Sequence, residues 1–250
     1  FPAFSKIVPE HVVPAVEQVL ADARHRVSQL TEHQGAQTWE SLAQPLEDLE
    51  ERISRTWSPV GHLHAVADNP ALRKAYNTCV AKLSEYATEI GQNEALFRGF
   101  KSIANGAQYR TLGDAQRKSI DDAIRDFRLS GVDLASADKH RYKQISARLS
   151  ELHSRFGENV LDATQGWTKH VTDESLLQGL PESAFALACD TAEREGLPGW
   201  LLTLEAPSYF PVMNYADSAE LRREMYEALT TRASDQGPNA GRWDNTDLID

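Results

Sequence analysis

The sequence predicts a mostly α-helical fold, a helical bundle with a long central helix and a small α+β extension containing two short strands. Three observations predict it. Apolar residues recur at three- and four-residue spacing through most of the first two thirds of the 250 residues. Helix-opening pairs such as Asn69 and Pro70 punctuate that pattern. After Gly166 the periodicity gives way to short β-branched or apolar runs bounded by glycine and proline.

The elements follow in order. Val12, Val16, Val19, Ala23, Val27 and Leu30 mark one face of a first helix, with Pro9 where a first turn tolerates proline. Thr38 caps "WESLAQPLEDLEERISRTW", in which Pro45 should bend the helix or mark a boundary, and "SPVGHLHAV" breaks the pattern. Asn69 and Pro70 open a helix striped by Leu72, Tyr76, Cys79, Leu83, Tyr86 and Ile90. Asn93 caps a short helix that Asn105 and Gly106 stop, and another runs from about Asp114 to Gly131 with Ile120, Ile124 and Phe127 inward. The longest element begins after Ser136. Its Tyr142, Ile145, Leu149, Leu152, Phe156, Val160 and Ala163 lie close to a heptad seam, enough to organise a bundle.

Beyond Gly166, "WTKHVT" and "GWLLTLE" have strand length, "DESLLQGL" a turn of helix, and Pro181 to about Glu195 a helix. "SYFPVMNYA" mixes aromatics with proline, and Ser218 caps "AELRREMYEAL". The implied domains are a helical bundle over 1–165, an α+β extension over 166–235, and a junction loop over 236–250. At the end, Asp244, Asn245 and Thr246 offer helix-capping side chains for a helix expected to continue past Asp250.

Charge narrows the function classes. The 26 Lys and Arg against 37 Asp and Glu leave a net charge of -11, with no basic patch, so nucleic acid and anionic membrane surfaces are poor partners. No stretch approaches the roughly 20 apolar residues of a membrane span, and the start lacks the organisation of a secretory signal. Cys79 and Cys189 sit far apart in apolar stretches and are read as free thiols of a reducing cytosol, although a disulfide between them stays open on sequence alone.

Chemical motifs are nearly absent. His62 and His64 would point to opposite sides of a helix and share a face only on a strand, and their surroundings favour loop or helix over a joint metal site. His153, beside Glu151, is a flank position of the long helix. "SADK" at 136–139 matches a serine acyl-enzyme motif, but its place at a helix start makes Ser136 a cap. No His-Glu-x-x-His, Gly-x-Ser-x-Gly or phosphate-binding loop occurs. One stretch stands out. "TRASDQGPNAGRWDN" surrounds turn formers with Arg232, Asp235, Arg242 and Trp243, which points to an ordered, contact-making loop rather than a bland linker.

Several stretches together carry a resemblance. "FPAFSKIVPEHVVPAVEQVL", "ENVLDATQGWTKHVTDES", "GWLLTLEAPSYFPVMNYADSAELRREMYEA" and "YEALTTRASDQGPNAGRWDN" resemble the N-terminal region of the thimet-oligopeptidase family of zinc metallopeptidases, collinearly from first residue to last. The resemblance implies a cytoplasmic enzyme that cuts short unfolded peptides in a channel between two halves. Its zinc, the parent enzyme's cofactor, would be held by residues expected after Asp250, so no catalytic or metal-ligating residue and no cofactor is assigned in this chain. The implied partners are the C-terminal catalytic domain of the same polypeptide and short peptides. This chain would form one channel wall and the size filter, and be inactive alone. Tyr209, Tyr215, Arg232, Arg242 and Trp243 are the candidates to face the channel or the missing half, while Phe210 is read as core beneath the small sheet. The rival expectation is a stand-alone helical peptide-binding or adaptor module derived from such a peptidase.

Overall fold

The structure is a computed structural model that describes residues 2–32 and 35–249. Asp250, the last residue of the expected junction, and His33, one of the eight histidines, lie outside the described residues. The chain divides into two compact units, Phe1–Glu151 and Leu152–Asp250.

In the first unit, α1 (Pro9–Thr31) starts on Pro9 and buries the expected face, from Val12 to Leu30. Thr38 then builds a reciprocal cap. Its hydroxyl accepts from the Ser41 backbone N–H at 3.1 Å, and the Ser41 hydroxyl accepts from the Thr38 N–H at 2.9 Å. This cap opens a π-helical turn, Trp39–Ala43, which hands over to α2 (Gln44–Val66) with Pro45 in its first turn. Pro45 is therefore a boundary. The expected break at "SPVGHLHAV" is corrected: Ser58 to Val66 stay helical despite Pro59. Packing outweighs the local signal. Val60 is buried in the core, and the Trp57 and His64 rings stack on Tyr76 at 4.8 and 3.9 Å.

Asn69 caps α3 (Pro70–Gly91), its Oδ1 accepting from the N–H groups of Ala71 and Leu72 at 3.1 and 3.0 Å. Asn93 does the same for α4 (Glu94–Asn105). Gly99 lets α4 approach the Trp39–Ala43 turn closely, because a Cβ there would lie 2.5 Å from Leu42 Cδ2. In α5 (Asp114–Leu129) Ile120 and Phe127 are buried, and Phe127 tilts against Phe97 and Phe100. All these faces form one apolar core.

Tyr86 of α3 supplies a pH test of that core. Burial first, then Glu50 and Glu89, push its hydroxyl up to about 12, with the Arg24 guanidinium opposing. Because the folded value lies above that of the unfolded chain, unfolding releases a proton once the pH passes about 10. Stability intact below that pH is lost as it rises towards 12. Alkaline unfolding should be milder in Tyr86→Phe, and absorbance at 295 nm should show one fewer late-titrating tyrosine in that variant than in the parent chain, where Tyr109 and Tyr209 are also raised; an unchanged alkaline profile would contradict this account.

The helix α6 (Ser136–Gln165) has 30 residues, about 45 Å at 1.5 Å each. Its seam is less covered than its heptad spacing suggests. Among its residues only Ala163 is fully buried, while Ile145, Leu149 and Phe156 remain 44%, 60% and 41% exposed.

In the second unit, β1 (Thr168–Val171) pairs antiparallel with β2 (Trp200–Thr203), Thr168 opposite Thr203 and Val171 opposite Trp200. A 3₁₀ turn, Glu174–Leu177, and α7 (Glu182–Arg194) lie between the strands in sequence. α8 (Ala206–Tyr215), α9 (Ala219–Thr230) and the short α10 (Thr246–Ile249) complete the chain. Trp167, Val171, Leu202, Val212, Leu221 and Met225 belong to this unit's separate core. The mostly helical fold with a small α+β extension and two short strands is thus as expected. Cys79 is buried and Cys189 half-buried, both as free thiols.

Candidate functional site

The five residues singled out from the sequence all fall in the second unit, on α8 and on the segment that follows α9. α8 places Tyr209 and Val212 three residues apart on one face, Ala216 caps its end, and all three are buried. Phe210 stands about 100° further round the helix and is 57% exposed. The expectation that Phe210 packs in the core is therefore corrected, and Tyr209 is the core residue. Aromatics at 209, 210 and 215 touch both faces of a helix, so the sequence carried no phase to separate them.

Tyr209 meets the edge of Phe210 at 5.6 Å between ring centres. Burial pushes its hydroxyl pKa up, Tyr226 adds to the rise, and Arg232 opposes it, so these three side chains share one electrostatic neighbourhood. Arg232 Nη1 donates to the Leu229 carbonyl, while its Nε is buried without a hydrogen-bond partner among the described residues. Tyr215, at the C-terminal end of α8, is 56% exposed.

The 231–245 segment is ordered by its own backbone, as its mixture of turn formers with Arg and Trp suggested. Gly241 N–H donates to Ser234 at 3.0 Å and Asn245 N–H to Ala233 at 3.1 Å. Ala233 adopts φ 56°, and Gly237 adopts φ 77° against the Thr231 side chain. Trp243 then lies on Gly166, just past the end of α6; a Cβ at Gly166 would stand 2.1 Å from Trp243 Cη2. The Arg242 guanidinium covers the Trp243 ring at 4.2 Å. Arg242 and Trp243 are thus brought together as one stacked pair.

Asn245 carries the attachment that the sequence did not reveal. Asp244, Asn245 and Thr246 all have capping chemistry, but only Asp244 is turned to the helix start, accepting from the Thr246 N–H at 2.9 Å. Asn245 points inward and is 3% exposed; its Oδ1 accepts from Asn159 Nδ2 at 2.8 Å and its Nδ2 donates to the Phe156 carbonyl at 3.3 Å. Gly166 was legible only as a helix terminator. Its second role, making room for an indole, leaves no local signal.

His62 tilts against Phe4 and His64 stacks on Tyr76, and among the described residues no three His, Cys, Asp or Glu side chains group as a metal site requires. Zinc does not fit the described residues. Ser136 is the first residue of α6 rather than its cap, since the Lys139 N–H donates to the Ala135 carbonyl, and Lys139 pairs with Glu94 at 2.7 Å, an ion pair at the helix start rather than an activated nucleophile. Among the described residues no helix is long and apolar enough to cross a membrane.

Residues 16–139 match the family model described as Neurolysin/Thimet oligopeptidase, N-terminal domain. The chain is 51% identical over 249 residues to Oligopeptidase A of Escherichia coli (strain K12), covering 100% of this chain and 37% of that relative. The chain is an N-terminal region of a thimet-oligopeptidase family member. Other members give the same picture. Oligopeptidase A of Salmonella typhimurium is 50% identical over 100% of this chain and 37% of its own length. The Probable cytosolic oligopeptidase A of Arabidopsis thaliana is 34% identical over 100% of this chain and 36% of its own length. The chain therefore spans little more than a third of the thimet-oligopeptidase relatives it matches, and the family model's residues fall within the first unit.

Proposed function

We propose that this chain is the non-catalytic N-terminal portion of a cytoplasmic zinc-dependent oligopeptidase that hydrolyses short unfolded peptides. The observation that carries the reading is the end-to-end match to Oligopeptidase A, which leaves the remaining length of that relative for the catalytic residues. In this reading residues 1–165 form the helical bundle, 166–235 the α+β extension, and 236–250 the junction into the catalytic domain.

The chain then contributes one wall of the substrate channel and much of its size filter. A narrow cleft admits an extended peptide and rejects a folded domain, because threading the latter requires unfolding it first. Arg242, Trp243 and the exposed Tyr215 are offered to the channel or to the catalytic half. Tyr209 and Arg232 support that surface from beneath. The exposed Ile145 and Leu149 of α6, both in the first unit, form a short apolar row that a further part of the same polypeptide would cover.

The prediction is absence of turnover. Incubated with excess zinc and an internally quenched short peptide, the chain should release no fluorescence above buffer; chelator-sensitive hydrolysis would overturn the assignment. The adaptor reading is favoured only by the same uncovered row on α6, which could also drive self-association. Light scattering separates the two, a stable dimer supporting the adaptor.

A further inference from the structure

A second feature of the first unit has no part in the reading above. α2, α3 and α5 enclose a groove of about 720 Å³, a volume in the range of ligand-binding clefts. Its walls are apolar, including Ile53, Trp57, Leu83 and Ile90. Four carboxylates, Glu47, Glu50, Asp122 and Asp126, also line it, with no lysine, arginine or histidine.

Three of the four acids are answered within the fold. Asp122 pairs with Lys118 and Arg125, Asp126 with Arg125 at 2.8 Å, and Glu47 accepts from the Ser119 hydroxyl at 2.6 Å. Glu50 is not: among the described residues its carboxylate has no hydrogen bond or ion pair. Glu50 is exposed at the mouth of the groove, so water rather than protein solvates it, while partial desolvation, then Glu47, raises its pKa above the ordinary carboxylate value. An apolar cleft with one unanswered negative charge is complementary to an apolar ligand with one positive charge.

We propose that this groove is a docking site for a short apolar peptide segment carrying one cationic side chain, received by Glu50. The site does not depend on the peptidase reading. A chain that never joins a catalytic half would bind the same segment.

The test uses the 250-residue chain and an acetylated, amidated heptapeptide, Gly-Leu-Leu-Lys-Leu-Leu-Gly, titrated by calorimetry at physiological salt. One-to-one binding is expected. Replacing the peptide's lysine with norleucine, or the protein's Glu50→Gln, should each weaken it roughly tenfold, the scale of one charge-assisted hydrogen bond. Ala87→Trp, at an exposed position lining the groove, should block it by filling the cleft. Glu193→Gln, an exposed acid on α7 of the other unit, should change nothing. Unaltered circular dichroism and an undiminished melting temperature at pH 7 confirm that Glu50→Gln is folded, since it removes a carboxylate that burial disfavours when ionised. Equal binding of the lysine and norleucine peptides overturns the proposal. So does lysine-peptide binding that survives both groove variants, which would place it on the acidic surface at large, and so does absence of binding.

Discussion

Gly166→Ala is expected to eject Trp243 from its seat beyond the end of α6 and to free the segment that precedes α10. The added methyl group would stand 2.1 Å from Trp243 Cη2 and 2.9 Å from the Asp162 carbonyl. A rigid indole cannot absorb such an overlap by a rotamer change alone. Either α6 frays at its last turn or the half-buried ring leaves, and the ring sits on an irregular segment while the Asp162 carbonyl is fixed in the helix. Overpacking of this kind costs about 1–3 kcal/mol. Departure of the ring also dissolves the Arg242 stack, worth about 0.5–1 kcal/mol at an exposed site. Tryptophan emission should shift to longer wavelength, and limited proteolysis should cut within 232–244 while the first unit stays resistant. An unshifted spectrum with native protease resistance would show that Trp243 is not held by Gly166.

Asn245→Ala is expected to release the same segment from the other side. The substitution deletes an acceptor for Asn159 and a donor to the Phe156 carbonyl, both in buried or half-buried surroundings. Asn159 keeps its 3.5 Å contact to the Asp244 carbonyl and the Phe156 carbonyl its place inside α6, so the loss is that of the two bonds themselves, about 0.5–1.5 kcal/mol each. Asn245→Asp should not rescue it, because the new carboxylate would face the Phe156 carbonyl with no hydrogen to donate. Hydrogen exchange of the backbone N–H at position 245, which donates to the Ala233 carbonyl, reports the opening directly. Combined with Gly166→Ala, the loss should be smaller than the sum, since either change opens one shared attachment. Strict additivity would mean the indole and the amide anchor the chain independently.

The sequence carried most of the helix boundaries because their causes are local. Thr38, Asn69, Asn93 and Ser218 satisfy N–H groups two or three residues away, so the four caps are visible in the string and recur in the structure. The errors arose where a distant contact outweighed the local signal. Pro59 and Gly61 argued for a break, but the Trp57 and His64 rings on Tyr76 hold that part of α2 helical. The seam of α6 was equally clear in period yet misleading in burial, because spacing tells which side chains align and not whether anything covers them.

The candidate site divides along the same line. That 231–245 is an ordered loop was legible from its glycines, proline, arginines and tryptophan; which residue anchors it was not. Asp244, Asn245 and Thr246 have interchangeable capping chemistry, and only the position of Phe156 and Asn159 selects Asn245 for the interior. By itself the sequence determined the helical class, the caps, the two strands and the kinship to thimet oligopeptidases, because each rests on neighbours along the chain or on the string as a whole. Tertiary structure alone decided that Phe210 faces water, that Gly166 makes room for an indole, and that Glu50 stands unanswered in a cleft. Each is a relation between residues that only folding brings within a few ångströms.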